Sequence, residues 1–403
     1  MPLGKQFAGM WTLTQQMQAR AASTWTGIPA VPSMWSWGRA HVGQMGTNVN
    51  FPSPGGSVSS PVQVDSGVTW SYVALDSQNT AAIKSDGTLW LWGGNAYGAL
   101  GLGDTSDLFS RSSPTQLGTD TNWAMVSLGY KTGNAIKTNG TLWSWGQNSV
   151  GEAGINNTTG KSSPVQVGAL TTWAKVMAGV GHTVAIKTDG TMWSWGNNAA
   201  GQVGDNTIVN KSSPVQLGAG TSWANLAGHK SGPIAQKTDG SIWTWGLNAG
   251  DNSGILALND AVNRSSPVQI GADTDWILSG SHNAASASSF LIKTNGSLWG
   301  FGYNNYGMLG IGGPVTKKSS PVQVGALTNW SNTAVTSNTG FQVKTDGTLW
   351  SAGNGADYGQ LGNNLGGVSS YRSSPVQIGT GTQWTDVYGG FQHVVALQEI
   401  PGT

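Results

Sequence analysis

The sequence predicts an all-β chain: a seven-bladed β-propeller with four antiparallel strands per blade. Three observations carry that prediction. A Trp-x-Trp-Gly element starts at Trp35, Trp90, Trp143, Trp193 and Trp243, and degenerate copies start at Trp299 and Trp350. Each is followed by Ser-Ser-Pro, with Pro at 61, 114, 164, 214, 267, 321 and 375, and a lone Trp comes nine residues after every Pro. Finally, the first copy holds only a second half-unit and the last copy, from Trp384, only a first half-unit. Together they complete one blade by two-plus-two closure, which removes the open edges of the sheet. A four-stranded unit of about 50 residues repeated around a ring is the propeller pattern.

The elements of one unit follow in order. Trp173–Ala178 reads as the first strand and His182–Lys187 as the second. Between the second and third strands, six copies carry Asp-Gly or Asn-Gly, from Asp86-Gly87 to Asp346-Gly347. This dipeptide suits a tight hairpin in which both central residues take positive φ. In the third strand, Trp-Ser-Trp-Gly, period-two alternation puts both indoles on one face. Pro-Val-Gln-Val reads as the fourth strand, where Pro suits the start of an edge. The lone Trp and the next Trp-x-Trp-Gly are 20 residues apart in five copies and 23 in one. The third-to-fourth connection varies more, from 21 to 26 residues between its Trp and Pro. The ring is expected over residues 34–399, with 1–33 as a separate N-terminal extension and 400–403 as a tail.

Composition excludes several functions. Only 9% of the 403 residues are charged and the net charge is +1, so no polyanion track for nucleic acid is present. The absence of Cys removes disulfides, thiolate metal sites and Cys nucleophiles. No apolar run approaches the roughly 20 residues of a membrane-spanning helix, and the first ten residues show no signal-peptide core. With Glu152 and Glu399 as the only glutamates, paired-carboxylate catalysis has little material. The Gly-rich tails follow strands rather than open helices, so they are not read as phosphate cradles. No enzyme activity, cofactor or metal site is expected. His182, His282 and His393 fall at or near second strands of separate blades, with His229 in a first-to-second connection. The Lys that ends each second strand (84, 137, 187, 237, 293, 344) is expected to snorkel. The abundant Trp are read as packing residues.

The stretch His182–Gly204, with Asn197, Gly201 and Gly204 in an Asn-x-x-x-Gly-x-x-Gly tail, resembles the repeat of the regulator of chromosome condensation family. The resemblance covers about residues 34–399 and implies a seven-bladed propeller. A light-sensing plant relative is similar to this chain but uses a Gly-Trp-Arg-His-Thr stretch. The matching Gly179-Val180-Gly181-His182-Thr183 has neither its Trp nor its Arg.

Alternating strand direction puts the first-to-second and third-to-fourth connections on one face of the ring. All length variation falls there, including an insertion around Ser286–Ser289. Binding residues usually ride on variable loops over a rigid scaffold. The candidate partner-binding residues are therefore Tyr97, Tyr306 and Tyr358 after third strands, and Tyr130, Lys131, His229, Lys230, Phe391 and Gln392 after first strands. Before the ring, Gln15–Ala22 is a short helix candidate, and Trp11, Leu13, Met17 and Trp25 give an apolar docking side. Gly9, Trp11, Thr12, Leu13, Gln15, Gln16, Gln18 and Ala19 resemble a leader of tailed-phage structural proteins. That resemblance implies a virion component, a tail, fibre or surface protein meeting other virion proteins through residues 1–33 and a host receptor through the ring. The alternative is a cellular interaction module of the same repeat family, either a small-GTPase regulator or an enzyme inhibitor. Homo-oligomerisation is open under both. The expected location is the virion under the first reading and the cytoplasm under the second.

Overall fold

The computed structural model describes residues 31–48, 56–105, 110–230, 232–250, 254–278, 286–364 and 371–400. These residues form 28 strands, numbered here in chain order, in seven four-stranded antiparallel sheets. The third blade shows the plan. It runs β11 (Trp173–Ala178), β12 (His182–Lys187), β13 (Met192–Gly196) and β14 (Lys211–Gln216), each hydrogen-bonded to the next. The first strands line the central channel and the fourth strands form the rim. The fourth strand differs from the sequence reading. β14 begins three residues before Pro214, which sits beside a register shift between Ser194 and Gly196 in the pairing. An edge strand tolerates Pro at such an irregularity because no ladder hydrogen bond is needed there.

The closing blade joins both halves of the chain. Its order is β2 (Ser57–Asp65), β1 (Val31–Arg39), β28 (His393–Ile400) and β27 (Trp384–Gly389). β1 and β28 stay in register from Val31 opposite Ile400 to Gly38 opposite His393. The ring is therefore stitched shut by a long antiparallel ladder between the two halves.

Side chains join neighbouring blades. The second Trp of each Trp-x-Trp-Gly is fully buried and reaches back to the preceding blade. Trp145 Nε1 donates to Ala99 O at 2.9 Å, Trp195 to Glu152 O at 3.0 Å and Trp245 to Gln202 O at 2.9 Å. Trp92 donates to Gln44 O at 3.0 Å, and Trp37 to Gln360 O at 2.8 Å across the chain closure. Phe301 and Ala352 take the same place in the degenerate copies, buried but with no N–H to donate. The tail glycines make room for these indoles. A Cβ on Gly204 would lie 2.6 Å from Trp245 Nε1.

The first Trp and the lone Trp pair within a blade. Trp173 and Trp193 meet edge to face at 6.2 Å, and Trp223 and Trp243 at 6.0 Å. The repeated Lys does more than snorkel. Lys187 Nζ lies 3.6 Å from the Trp193 ring centre and 5.1 Å from that of Trp173. Lys84, Lys137, Lys237, Lys293 and Lys344 repeat the arrangement. Each ammonium caps two indole faces, a cation–π contact worth about 0.5–1 kcal/mol at exposed sites and more where the cation is buried, as Lys137, Lys187 and Lys344 are. In the closing blade Gln398 stands opposite Trp384, where the other blades have Lys.

The Asp-Gly hairpins also differ from the expected two-residue turn. Gly190 takes φ +77°, while Asp189 is not among the residues with positive φ. Lys187 N–H donates to Thr191 O and Gly190 N–H to Lys187 O. That is a three-residue loop closed by a left-handed Gly. Asp189 instead accepts from the Thr191 hydroxyl at 2.7 Å and its N–H at 2.9 Å, and these bonds hold its carboxyl below the usual range. The next blade imposes the Gly. Gly190 O accepts from Trp223 N–H, and a Cβ would lie 2.0 Å from Thr221 O. Gly168, by contrast, has φ +62° but nothing within 4 Å of its Cβ position. Gly168→Ala should therefore cost about 1 kcal/mol of left-handed strain. Gly190→Ala should cost clearly more, because the Thr221 backbone must also move. Urea-unfolding midpoints of the two variants, measured side by side, check this ordering.

Candidate protein-binding face

The first-to-second and third-to-fourth connections meet on one face, and most of the expected binding residues gather there. Tyr130 and Lys131 join β7 (Trp123–Gly129) to β8 (Thr132–Lys137), and Phe391 and Gln392 join β27 to β28. Lys230 follows β15 (Trp223–His229) and is exposed. Tyr97, Tyr306 and Tyr358 follow third strands nearer the rim. Tyr97 is 56% exposed, Tyr130 44% and Tyr306 40%. His229 is a correction. It ends β15, pairs with Gly232 and is buried, because this first strand extends further than its counterpart β11. Ser288 and Ser289 also fall in a strand, β20 (Ser288–Lys293), rather than in a loop. The stretch 279–285 before them, with His282, lies outside the described residues, as do Trp11, Leu13, Met17 and Trp25.

Cations and aromatics lock this face across blade junctions. Lys131 Nζ sits 4.5 Å from the Tyr97 ring centre and 4.9 Å from that of Tyr130, joining the first and second blades. Arg39 lies 4.8 Å over Tyr358 and donates from Nη1 to Gln392 Oε1 at 2.6 Å, joining the sixth and closing blades. Tyr306 stacks on Tyr371 at 5.0 Å with an interplanar angle of 15°. Arg39 and Tyr371 were not singled out from the sequence. For Arg39 a signal exists: it directly follows its Trp-Ser-Trp-Gly, where every other copy has an uncharged residue. Three of the face residues also have left-handed backbones: Tyr97 at φ +61°, Lys131 at +63° and Tyr306 at +64°. Such values are uncommon for non-glycine residues and gather at functional positions. The third blade has Gly181 where the second has Lys131.

The loops surround a cavity of about 400 Å³ at the channel mouth, lined by Arg39, His41, Gln78, Tyr130, Lys230 and Phe391 among others. Beneath it the channel narrows to about 250 Å³ between first strands, past Tyr72, Met177, Asn332, Asp386 and Tyr388. Burial pushes the Tyr72 hydroxyl up to about 12 and the Tyr388 hydroxyl further. Asp386 Oδ1 accepts from Asn332 Nδ2 at 2.9 Å. Asp76 is buried between the blades, and burial pushes its carboxyl up to about 7 against hydrogen bonds from the Gln78, Asn79 and Lys131 backbones. The arrangement offers cations, exposed rings and a depression. Thr80 Oγ1 meets His393 Nε2 at 3.0 Å, and both are fully buried.

A family model for the RCC1-like domain matches residues 33–396. The chain belongs to the RCC1-like domain family. Among solved structures, this RCC1-like ring superposes on human WBSCR16 with a TM-score of 0.76, at 20% identity over 92% of this chain and 99% of that one. It superposes on Prp20p of Saccharomyces cerevisiae with a TM-score of 0.78, at 17% identity over 92% of each chain. At these identities the likeness concerns the fold. The Arabidopsis thaliana ultraviolet-B receptor UVR8 is 33% identical over 119 residues, which cover 30% of this chain and 26% of the receptor. The X-linked retinitis pigmentosa GTPase regulator of Canis lupus familiaris is 31% identical over 88 residues, 22% of this chain and 9% of that protein. The aligned stretches thus span a minor part of each of these relatives. In the RCC1-like ring described here, the repeated indoles are engaged in blade packing.

Two buried histidines give the RCC1-like ring a predictable response to acid. His182 and His393 open second strands, and their rings crowd Gly179 and Gly390. Burial pushes His182 down to about 4 and His393 down to about 3, with repulsion from His41 added for His393. Both lie below the unfolded value of about 6.5, so the unfolded chain takes up protons first as pH falls. Their stabilisation is complete above that value and drains away as pH drops from it towards the folded values. Asp76 acts in the opposite sense, since its folded value lies above the unfolded one and its burden grows as pH rises towards 7. His182→Gln should flatten the acid limb of a plot of thermal midpoint against pH. Asp76→Asn should raise the midpoint more at neutral pH than near pH 5. Scanning fluorimetry across that range checks both.

Proposed function

We propose that this chain is a non-catalytic protein-binding module of the RCC1-like family that docks its partner on the loop face. The observation that carries the reading is that the exposed large aromatics of the described residues, Tyr97, Tyr130, Tyr306, Tyr371 and Phe391, gather on that side, with Lys131 clasped between Tyr97 and Tyr130 and Tyr306 stacked on Tyr371. Exposed aromatics and Arg held in fixed geometry are what interface hot spots are made of. So few charges elsewhere leave shape, rings and hydrogen bonds as the means of recognition. The compared relatives favour a cellular interaction module. One is named a GTPase regulator, and yeast Prp20p is described by its binding properties to Gsp1p and histones. A small-GTPase partner is therefore the first class to examine.

A second reading, attachment within a virus particle, has one observation in its favour: the leader from Gly9 to Ala19 with Trp11, Leu13, Met17 and Trp25. The compared relatives named above come from cellular organisms and lend it no support.

The test contrasts the two faces. Partners captured from the native source should be lost by the triple variant Tyr97→Ala, Lys131→Gly, Phe391→Ala. Lys131→Gly suits the left-handed backbone and so removes the ammonium without new strain. The variant Leu170→Ala, Leu327→Ala alters exposed residues of the blade-to-blade links on the opposite face and should keep the partners. Loss confined to the second variant would overturn the proposal. For the second reading, a chain lacking residues 1–30 should fail to appear in purified particles where the full chain is found.

A further inference from the structure

The channel mouth has a composition that the rest of the ring does not share. Arg39, His41 and Lys230 line its cavity together with Tyr130 and Phe391, and the described lining residues include no Asp or Glu. Lys131 stands beside it, clasped between Tyr97 and Tyr130. Acids in the surrounding loops and channel have other partners. Asp76 is buried and bound to backbone N–H groups, Asp386 lies in the channel below with Asn332, and exposed Asp357, next to Tyr358, accepts from Asn354 Nδ2 at 2.8 Å. Arg39 is held in place on two sides, by Gln392 at Nη1 and by the Tyr358 ring under its plane. Its Nε is buried and has no hydrogen-bond partner among the described residues. With Nη1 on Gln392 and Nε enclosed, Nη2 is the donor left for a carboxylate oxygen, and a guanidinium fixed this way loses little entropy when one arrives.

We infer that this mouth takes an acidic segment of a protein partner, with a carboxylate on Arg39 backed by Lys230 and an apolar or aromatic side chain against Tyr130 and Phe391. The inference rests on the protein-binding reading and deepens it. The cavity, about 400 Å³, has room for one or two side chains rather than a folded domain, which points to a loop or tail. Charge complementarity sets the sign of that segment. A nucleic acid fits poorly, because 19 Lys and Arg are spread through a 403-residue chain of net charge +1 and form no continuous track. The aromatic walls suit a peptide that alternates carboxylates with a ring or an aliphatic group.

The probe is a fluorescent decapeptide of Asp and Glu with one central Phe, titrated against the full chain by anisotropy. Its control carries Asn and Gln in place of the acids. The acidic peptide should bind and weaken with added salt, and the amide control should bind at least about tenfold more weakly. Arg39→Gln and Lys230→Glu should each weaken the acidic peptide by about tenfold. Lys230 is exposed, so its variant keeps the test sound should Arg39→Gln disturb the junction with Tyr358. Equal binding of the two peptides would overturn the inference, and so would acidic-peptide binding that neither variant alters. Tighter binding of a single-stranded oligonucleotide than of the acidic peptide, lost in the same variants, would reassign the mouth to nucleic acid. The face-variant capture experiment is read separately. If partners depend on the loop face while the acidic peptide does not bind, this inference fails and the broader function stands.

Discussion

Five of the seven junctions between blades are crossed by an indole with its N–H on a carbonyl of the blade before, and the rest of the ring is arranged around that contact. A buried Trp removes some 150–250 Å² from water and is worth most when its N–H also finds a partner. Neighbouring glycines exist on its account: the tail Gly of one blade is small because the Trp of the next lies against it. The Asp-Gly turn follows the same logic at the other end of the blade, where Gly190 leaves space for the Thr221 backbone. The abundance of Gly and the abundance of Trp are thus two sides of one contact, repeated around the ring.

That contact makes the scaffold stiff and nearly neutral, which shapes what it can do. Six of its 14 Lys residues are occupied in capping Trp pairs, and its turn Asp residues in tying down hydrogen-bonded loops. Little charge is left for chemistry. What remains collects where the loops are unequal, at the channel mouth and the Tyr-bearing connections. There the blades differ: Lys131 replaces a Gly, Arg39 replaces an uncharged residue, and Tyr97, Tyr306 and Tyr358 stand before the first tail Gly. A repeated scaffold with a non-repeated face is the arrangement expected of a binding protein.

The fold was legible because every blade repeats the same spacing. First and second strands of the third blade fall where Trp173–Ala178 and His182–Lys187 were read, since alternation and flanking Gly bound them on both sides. The fourth strand was misjudged because Pro214 was taken as its start, whereas an edge strand can carry Pro within it. The hairpin type was misjudged because the Asp carboxylate can satisfy backbone N–H itself and so needs no positive φ. In the candidate site, loop membership was legible for Tyr97, Tyr130, Lys131, Lys230, Tyr306, Tyr358, Phe391 and Gln392. His229 was not, because a strand can outrun its counterparts by pairing one more step.

The sequence alone settled the number of blades, the closure by both halves of the chain and the identity of the packing residues. These follow from periodicity, and burying an alternating apolar pattern in a ring leaves few alternatives. Which loop residues meet across blades came only from the folded ring. Arg39 meets Tyr358 and Gln392 across more than 300 positions of chain, and Tyr306 meets Tyr371 across a single blade junction. No local pattern encodes such meetings. They are set by the angle at which one rigid blade is wedged against the next, and so by the indoles between them.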